Sequence, residues 1–395
     1  MSLILHINSL ASSGCVAMIA RSIVNESAQR GYDNVFAYGR GDAPDYCKFI
    51  RIGNNTDFYE HVLESRLLDD QGKGSRRSTR RFIEHLNELG PDVVHLHNIH
   101  GSYLSYVTFF SWLAKSKARV IWTLHDCWAF TGHCSHYDYI GCDKWKSECR
   151  LCPRRSDYPK SWIRDRSTAN FRDKKSAFTS IEKERMQIVT PSKWLASEVG
   201  SSFLGDYSVT VIPNGIDFAP ASTVKRSKDG RVRLLAVASK WHDVKGLSDL
   251  RELSGSLDYD KYALTLVGSI SDAQKVGFSD RVCFVGSVAE REQMAYIYAT
   301  SDVFLNLTHE DNFPTVNIEA LRSGLPIITY GAGGSGEAQD EFTGRVVPNV
   351  YGVKTALDTL VISDELRDRC IARGMRYTAG ACANSYCDLY SAMVD

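Results

Sequence analysis

The chain carries no net charge: 47 lysines and arginines are matched by 47 aspartates and glutamates over 395 residues. A protein that grips nucleic acid by bulk electrostatics needs a basic excess, so no nucleic-acid partner is expected. No run of about 18 or more apolar residues is present, which excludes an ordinary membrane-spanning helix. The opening, MSLILHINSL, has neither a basic leader region nor an apolar stretch long enough for a signal peptide. A cytoplasmic, non-spanning chain is the expectation. There is no GxGxxG fingerprint, no sequence repeat and no low-complexity tract. The cysteines number eleven, and five fall between Cys127 and Cys152. In a reducing compartment such a cluster points to a metal site or plain packing before disulfides.

What is there reads as two α/β units. The length exceeds one ordinary core. Residues 1–215 are net basic by five charges and the remainder net acidic by five, as expected of units with different partners. Short apolar runs at 2–8, 92–98, 120–126 and 187–192 alternate with helical patterns. The pattern restarts with runs at 233–239, 263–269, 281–287, 302–308 and 326–332. Strands separated by helices predict parallel, doubly wound sheets, with a ligand cleft at their carboxyl ends. The expected division is an N-terminal domain over 1–215 with a cysteine-containing insert at about 127–162, and a C-terminal domain over 216–378. A last helix, 379–395, is expected to pack back on the first domain. The segment 69–81, DDQGKGSRRSTRR, is the most loop-like.

The stretch HEDNFPTVNIEALRSGLPIIT (309–329) follows a predicted strand, turns at Asp311, Asn312 and Phe313, and places Pro314 where a helix tolerates a missing N–H. A helix over about 314–322 then aims free amides and a positive dipole end at the ligand edge, which makes an anion site. Asp311 and Glu319 can line that pocket, an arrangement that suits a sugar nucleotide. The spacing alone equally allows Asp311 to be a cap and Glu319 a solvated helix residue. Lys240 and Lys245, in ASKWHDVKGL, flank a turn after another strand, where two ammonium groups can meet a diphosphate. Gly14 opens a helix after the first strand, as a phosphate-facing turn does. His95, His97 and His100 alternate like metal ligands, but strand histidines are more often buried and hydrogen-bonded. His125 and Asp126 end a strand at its ligand side and are the better candidates.

HEDNFPTVNIEALRSGLPIIT, SKWHDVKGL, TPSKWL, VIPNGID and TLHDCWAFTGHC together resemble family 4 of the retaining glycosyltransferases. These are GT-B enzymes of capsule, exopolysaccharide and lipopolysaccharide assembly, and the resemblance covers nearly the whole chain. It implies two Rossmann-like domains facing across a cleft whose closure gates turnover. It implies transfer of a hexose from a nucleoside-diphosphate sugar to a glycan or lipid-linked glycan. Asp311 and Glu319 match the family's paired acids, the first for the donor sugar and the second for the ribose. The loop Asn312, Phe313 and Pro314 and the first-turn residues Thr315 and Val316 complete the donor site. Lys240 and Lys245 match the diphosphate-binding pair, His125 the histidine facing the donor sugar, and Gly14 the glycine near the leaving phosphates. Two positions depart from the family pattern: the first acid is usually Glu, and the first of the basic pair usually Arg. An epimerase of the same architecture, or an inactive partner subunit, are the alternatives.

No cofactor is implied for catalysis. Cys149 and Cys152 form a CxxC that Cys134 and Cys142 can complete as a tetrahedral structural zinc site, with disulfides or free thiols as the other readings. Aromatic residues interleave with basic ones in this insert, so it is expected to shape the acceptor side. Lys73, Arg76, Arg77, Arg80 and Arg81 can form a peripheral membrane contact or a solvated loop.

Overall fold

A computed structural model describes residues 2–221 and 229–394. It divides into two compact units, Met1–Gly215 with Ala379–Asp395, and Ile216–Thr378. The first is built on β1 (Leu3–Leu10), β2 (Asp33–Arg40), β3 (Lys48–Arg51), β4 (Val93–Leu96), β5 (Arg119–Thr123), β6 (Met186–Thr190) and β7 (Ser208–Val211). All its pairings are parallel, in the order β3-β2-β1-β4-β5-β6-β7. Its helices are α1 (Cys15–Gln29), α2 (Asn55–Leu68), α3 (Arg76–Leu89), α4 (Tyr106–Leu113), α5 (Ser167–Phe178) and α6 (Lys193–Gly200).

A parallel sheet buries both faces, and the central strands read accordingly. In β1, Leu5 and Ile7 enter the core that holds Phe82 of α3 and Phe109 and Phe110 of α4, while Ile4 joins Ile19 and Ile23 of α1 on the other face. Each fully buried side chain of this size contributes about 1.5–3 kcal/mol. The segment 69–81 is not a loop throughout. Its arginines open α3, which buries Ser78, Thr79, Phe82 and Leu86 at helical spacing beneath an exposed basic face. Lys73 leaves that basic surface altogether: it is buried, with Nζ 2.6 Å from Asp173 and 3.5 Å from Asp70.

The second unit repeats the plan with β8 (Val232–Lys240), β9 (Tyr262–Ser269), β10 (Cys283–Val285), β11 (Val303–Asn306), β12 (Ile327–Tyr330) and β13 (Gly344–Val347). Their order is β10-β9-β8-β11-β12-β13, again parallel. Between and beyond them run α7 (Leu247–Ser256), α8 (Asp272–Lys275), α9 (Arg291–Ala299), α10 (Thr315–Arg322), α11 (Val350–Thr359) and α12 (Asp364–Gly374). Strand order reverses between β1 and β4 in one sheet and between β8 and β11 in the other. Loops leaving the carboxyl ends of those strands diverge to opposite faces and open a crevice.

The last helix, α13 (Ala379–Val394), belongs to the first unit and packs along α1. Arg30 meets Asp388 at 2.6 Å, and the Tyr32 hydroxyl lies 2.9 Å from Ser391. Deeper, Tyr390 and His95 are 2.6 Å apart, and Tyr386 reaches Thr123 at 3.0 Å. Tyr390→Phe leaves the His95 Nδ1 buried without a partner. It is expected to lower stability by about 1–3 kcal/mol, read as a shifted urea midpoint. An unshifted midpoint would mean that α13 is held by apolar packing alone.

Candidate active site

At the reversal point of the second sheet, β8 ends on exposed Lys240 and the chain turns through Asp243–Lys245 into α7. Gly246 makes the turn possible. Its φ is +78°, and a Cβ there would lie 2.2 Å from the Leu307 carbonyl oxygen, so only glycine fits. The neighbouring strand β11 leads into the acid loop, which is pinned to the lysine turn. His309 N–H donates to the Val244 carbonyl at 2.8 Å, and the Lys245 ammonium donates to Asp311 Oδ2 at 2.8 Å and to the Glu310 carbonyl at 3.3 Å. Asp249 of α7 locks the loop from behind, 2.7 Å from His309 Nε2 and 3.0 Å from the Tyr330 hydroxyl.

Pro314 is the N-cap of α10, one place before the first helical residue, and offers no capping side chain. The amides of Thr315 and Val316 therefore begin the helix without intrahelical acceptors. Asn312, Phe313 and Pro314 are buried, and Phe313 packs edge-on against Tyr377. A third loop closes the site from the β12 side. Gly334 N–H donates to the Asp311 carbonyl at 2.9 Å, and at Gly333, with φ +58°, a Cβ would lie 2.1 Å from that oxygen. Asn317 ties α10 to the same loop through the Ser335 carbonyl at 2.8 Å. Glu319, one turn further along, accepts from the Tyr298 hydroxyl at 2.8 Å. Burial raises its pKa; the Tyr298 bond and the charge of Arg291 oppose that without cancelling it.

The first sheet carries a different set at its reversal point. Gly14 follows β1 with φ +85°, is exposed, and starts α1 without a side-chain cap. The pairing of β1 with β4 sets His6 opposite His95. His6, His95 and His97 bring one ring nitrogen each within 4.8 Å of the others, the one such cluster of metal-ligand side chains found among the described residues. Both His95 nitrogens are already engaged, by Tyr390 and by Thr123 at 2.8 Å, and His6 Nε2 is 3.1 Å from Asn34. Burial keeps these rings neutral, taking His6 down to about 4 and His97 well below its ordinary value. His125 sits just beyond β5 with Nε2 3.4 Å from His97 Nδ1, and burial lowers it to about 4.

Asp126 turns away from His125 to a partner that strand periodicity does not pick out. His100 lies beyond the end of β4, and its Nε2 is 2.8 Å from Asp126 Oδ2. Burial pushes the Asp126 carboxyl up, but the His100 ring and the Trp128 N–H outweigh it and hold it at about 2. His97, His100, His125 and Asp126 line one small cavity.

Between β5 and α5 the chain runs from 124 to 166 with only single-turn 3-10 helices, yet Trp128, Phe130 and Trp145 are buried. Lys174 of α5 anchors it, donating to the Trp128 and Thr131 carbonyls at 2.7 and 3.0 Å, and His133 meets Asp69 at 2.7 Å. Its thiols are free. Cys134 is hydrogen-bonded to Cys152, and the Gly132 N–H donates to Cys149 Sγ at 3.2 Å. Cys142, Cys149 and Cys152 are half-buried, and the four thiols do not reach the 4.8 Å closeness of the histidine group.

The family model for Glycosyltransferase Family 4 matches residues 14–219, more than half of the chain. The chain belongs to that family. Residues 221–376 of this glycosyltransferase match a second family model, Glycosyl transferases group 1. A curated relative is WcaC of Escherichia coli strain K12, a glycosyl transferase assigned to colanic acid biosynthesis. It is 25% identical over 364 residues, 87% of each chain. Sucrose-phosphate synthase from Thermosynechococcus elongatus has the same fold, with a TM-score of 0.69 at 16% identity over 100% of this chain and 99% of that one. HepE from Anabaena, solved with UDP-glucose, superposes with a TM-score of 0.65 at 13% identity over 99% and 100%. The glycosyltransferase thus has the GT-B fold of two parallel-sheet α/β domains.

In this glycosyltransferase, Lys245, Asp311, Thr315 and Val316 come together at one sheet edge, with Lys240 at the end of the adjoining strand and Glu319 one helical turn behind. Gly14 and His125 lie at the matching edge of the other unit. The link of His100 to Asp126 is not legible in the sequence, where His100 groups with His95 and His97 as a metal-like set or as buried strand histidines, whereas β4 stops at Leu96. The raised Glu319 has a testable sign. With a folded-state value above the ordinary 4.5, it contributes stability that is complete below 4.5 and lost as pH rises through the folded value. Glu319→Gln is expected to have a higher urea midpoint than wild type at about pH 7.5, the gap closing toward about pH 4. A gap that does not change with pH would show that burial does not perturb this carboxyl.

Proposed function

We propose that the protein is a retaining hexosyltransferase that moves a hexose from a nucleoside-diphosphate sugar to a glycan or lipid-linked glycan in surface polysaccharide synthesis. The observation that carries the donor reading is the Lys245 ammonium held on Asp311 beside the uncapped start of α10. Cation, carboxylate and free amides at a strand-order reversal are what a sugar diphosphate needs: charge for the phosphates and acceptors for sugar hydroxyls. HepE holding UDP-glucose and the assignment of WcaC to colanic acid biosynthesis support the same reading.

In this scheme the bond from the anomeric carbon to the β-phosphate oxygen breaks, and its electron pair leaves with the diphosphate. The acceptor oxygen bonds the same face of the carbon, and its proton passes to the departing phosphate. Lys240 and Lys245 stabilise the charge that develops there, so a metal ion has no required part. Asp311 orients the sugar, and Glu319 binds the ribose. His125, neutral at physiological pH, faces the transferred sugar as a hydrogen-bonding group. The exposed arginines of α3 are the surface for peripheral attachment to an anionic membrane, at about 1 kcal/mol per basic residue.

Calorimetry with a panel of nucleoside diphosphates tests the donor site. At least one should bind, and Lys245→Ala should weaken it roughly 10- to 100-fold, the loss of a charge-assisted hydrogen bond, with nucleoside affinity unchanged. Binding by none, or an unaffected variant, contradicts the proposal. An altered sugar still attached to nucleotide would identify an epimerase instead.

We further propose that Cys134, Cys142, Cys149 and Cys152 hold a structural zinc ion, on the CxxC of Cys149 and Cys152 and the hydrogen bond between Cys134 and Cys152. Metal analysis of protein purified without chelator should find about one zinc per chain, lost on Cys149→Ser with Cys152→Ser. Protein that folds with no zinc refutes it.

A further inference from the structure

The insert reaches back to the sheet edge through one hydrogen-bonded chain. Asp126 Oδ1 accepts from the Trp128 N–H at 2.9 Å, and Oδ2 lies 2.8 Å from His100 Nε2. A carboxylate only accepts, so Nε2 carries the ring proton. In the neutral ring Nδ1 is then the acceptor and faces the Tyr158 hydroxyl at 3.2 Å. The phenol donates inward, and its oxygen keeps lone pairs for an outside donor. Tyr158 is 58% exposed while its hydroxyl is turned toward His100, so the ring edge is open to a ligand. Four residues on, Trp162 is 49% exposed: its backbone N–H donates to the Arg66 carbonyl at 2.7 Å, and the Arg66 guanidinium lies 5.0 Å from its ring centre. A polar handle of set orientation and a braced aromatic face on one short segment are the elements of carbohydrate recognition, since sugars offer hydroxyls on their rim and C–H groups on their faces.

We infer that Asp126, His100 and Tyr158 form a positioning relay for the acceptor sugar, in which the Tyr158 oxygen accepts a hydrogen bond from an acceptor hydroxyl and Trp162 packs on the ring. This rests on the transferase reading above. The hydroxyl held by Tyr158 is not the reacting one, whose proton goes to the diphosphate. The relay therefore sets which acceptor binds and in what orientation. Asp126 matters because it fixes the tautomer: an amide in its place can donate to Nε2, move the ring proton to Nδ1 and reverse the Tyr158 hydrogen bond.

Saturation-transfer NMR on the full chain, with methyl α-glucoside, methyl α-galactoside and methyl α-mannoside as probes, tests the relay. At least one should receive magnetisation, and Tyr158→Phe and Asp126→Asn should each weaken its binding about five- to tenfold, as expected for one lost hydrogen bond. Nucleoside-diphosphate affinity, measured on the same samples, should stay within about twofold, because Lys245, Asp311 and the start of α10 belong to the other unit. No transfer to any probe in wild type, or equal transfer in Tyr158→Phe, overturns the relay. So does a Tyr158→Phe protein that loses nucleotide binding as well, which would make the tyrosine a structural residue. Sugar contact retained by a wild type that binds no nucleotide would sink the donor reading and leave the relay standing.

Discussion

A lysine ammonium resting on an aspartate carboxylate, Lys245 on Asp311, is the interaction on which the proposed donor site depends. Both side chains are partly exposed, so the pair adds little to stability. Its importance is positional. Two loops that leave adjacent strands for opposite faces of a sheet are brought into register at the point where their charges are useful. Gly246 against Leu307 and Gly333 against Asp311 let the loops approach this closely, with no room for a side chain at either position. In the proposed reading, a cation and an acid held this near are redeployed when the donor arrives, the ammonium to phosphate and the carboxylate to hydroxyls, with little rearrangement of the backbone.

The two units share a topology and differ in what they place at its edge. Residues 216–395 are net acidic, yet the edge of the second sheet presents two lysines. In the proposed donor reading, local placement and not the sum of charges makes the anion site there. The first sheet presents a glycine turn and a row of neutral imidazoles, His6, His95, His97 and His125, kept uncharged by burial. One ionised group, Asp126, stands among them because His100 and a backbone amide compensate it. A polar, nearly uncharged edge suits hydroxyl recognition, as a charged one suits a diphosphate.

Much of this was readable from residue order. Apolar runs and the helices between them gave the doubly wound sheets, because a parallel strand buried on both faces is continuously apolar. Pro314 and the acids around it marked the helix start. Four strands go beyond the expectation. β3, β7 and β13 are four-residue edge strands of mixed burial, too short for a periodic signal, and β2 opens with Asp33 and Asn34. The arginine-rich stretch looked like a loop because its first turn is polar, although Phe82 and Leu86 carry the helical period. Glu319 has the spacing of a solvated residue; only the fold brings Tyr298 from α9 over it. The link from His100 to Tyr158 spans 58 residues, and no local pattern encodes it.

The most direct measurement is a crystal structure of the protein with a bound nucleoside diphosphate. The account predicts the β-phosphate within hydrogen-bond distance of Lys245 Nζ and of the Thr315 and Val316 amides, with the ribose on Glu319. A nucleotide bound elsewhere, with Lys245 still engaged only by Asp311 and the Glu310 carbonyl, would contradict it.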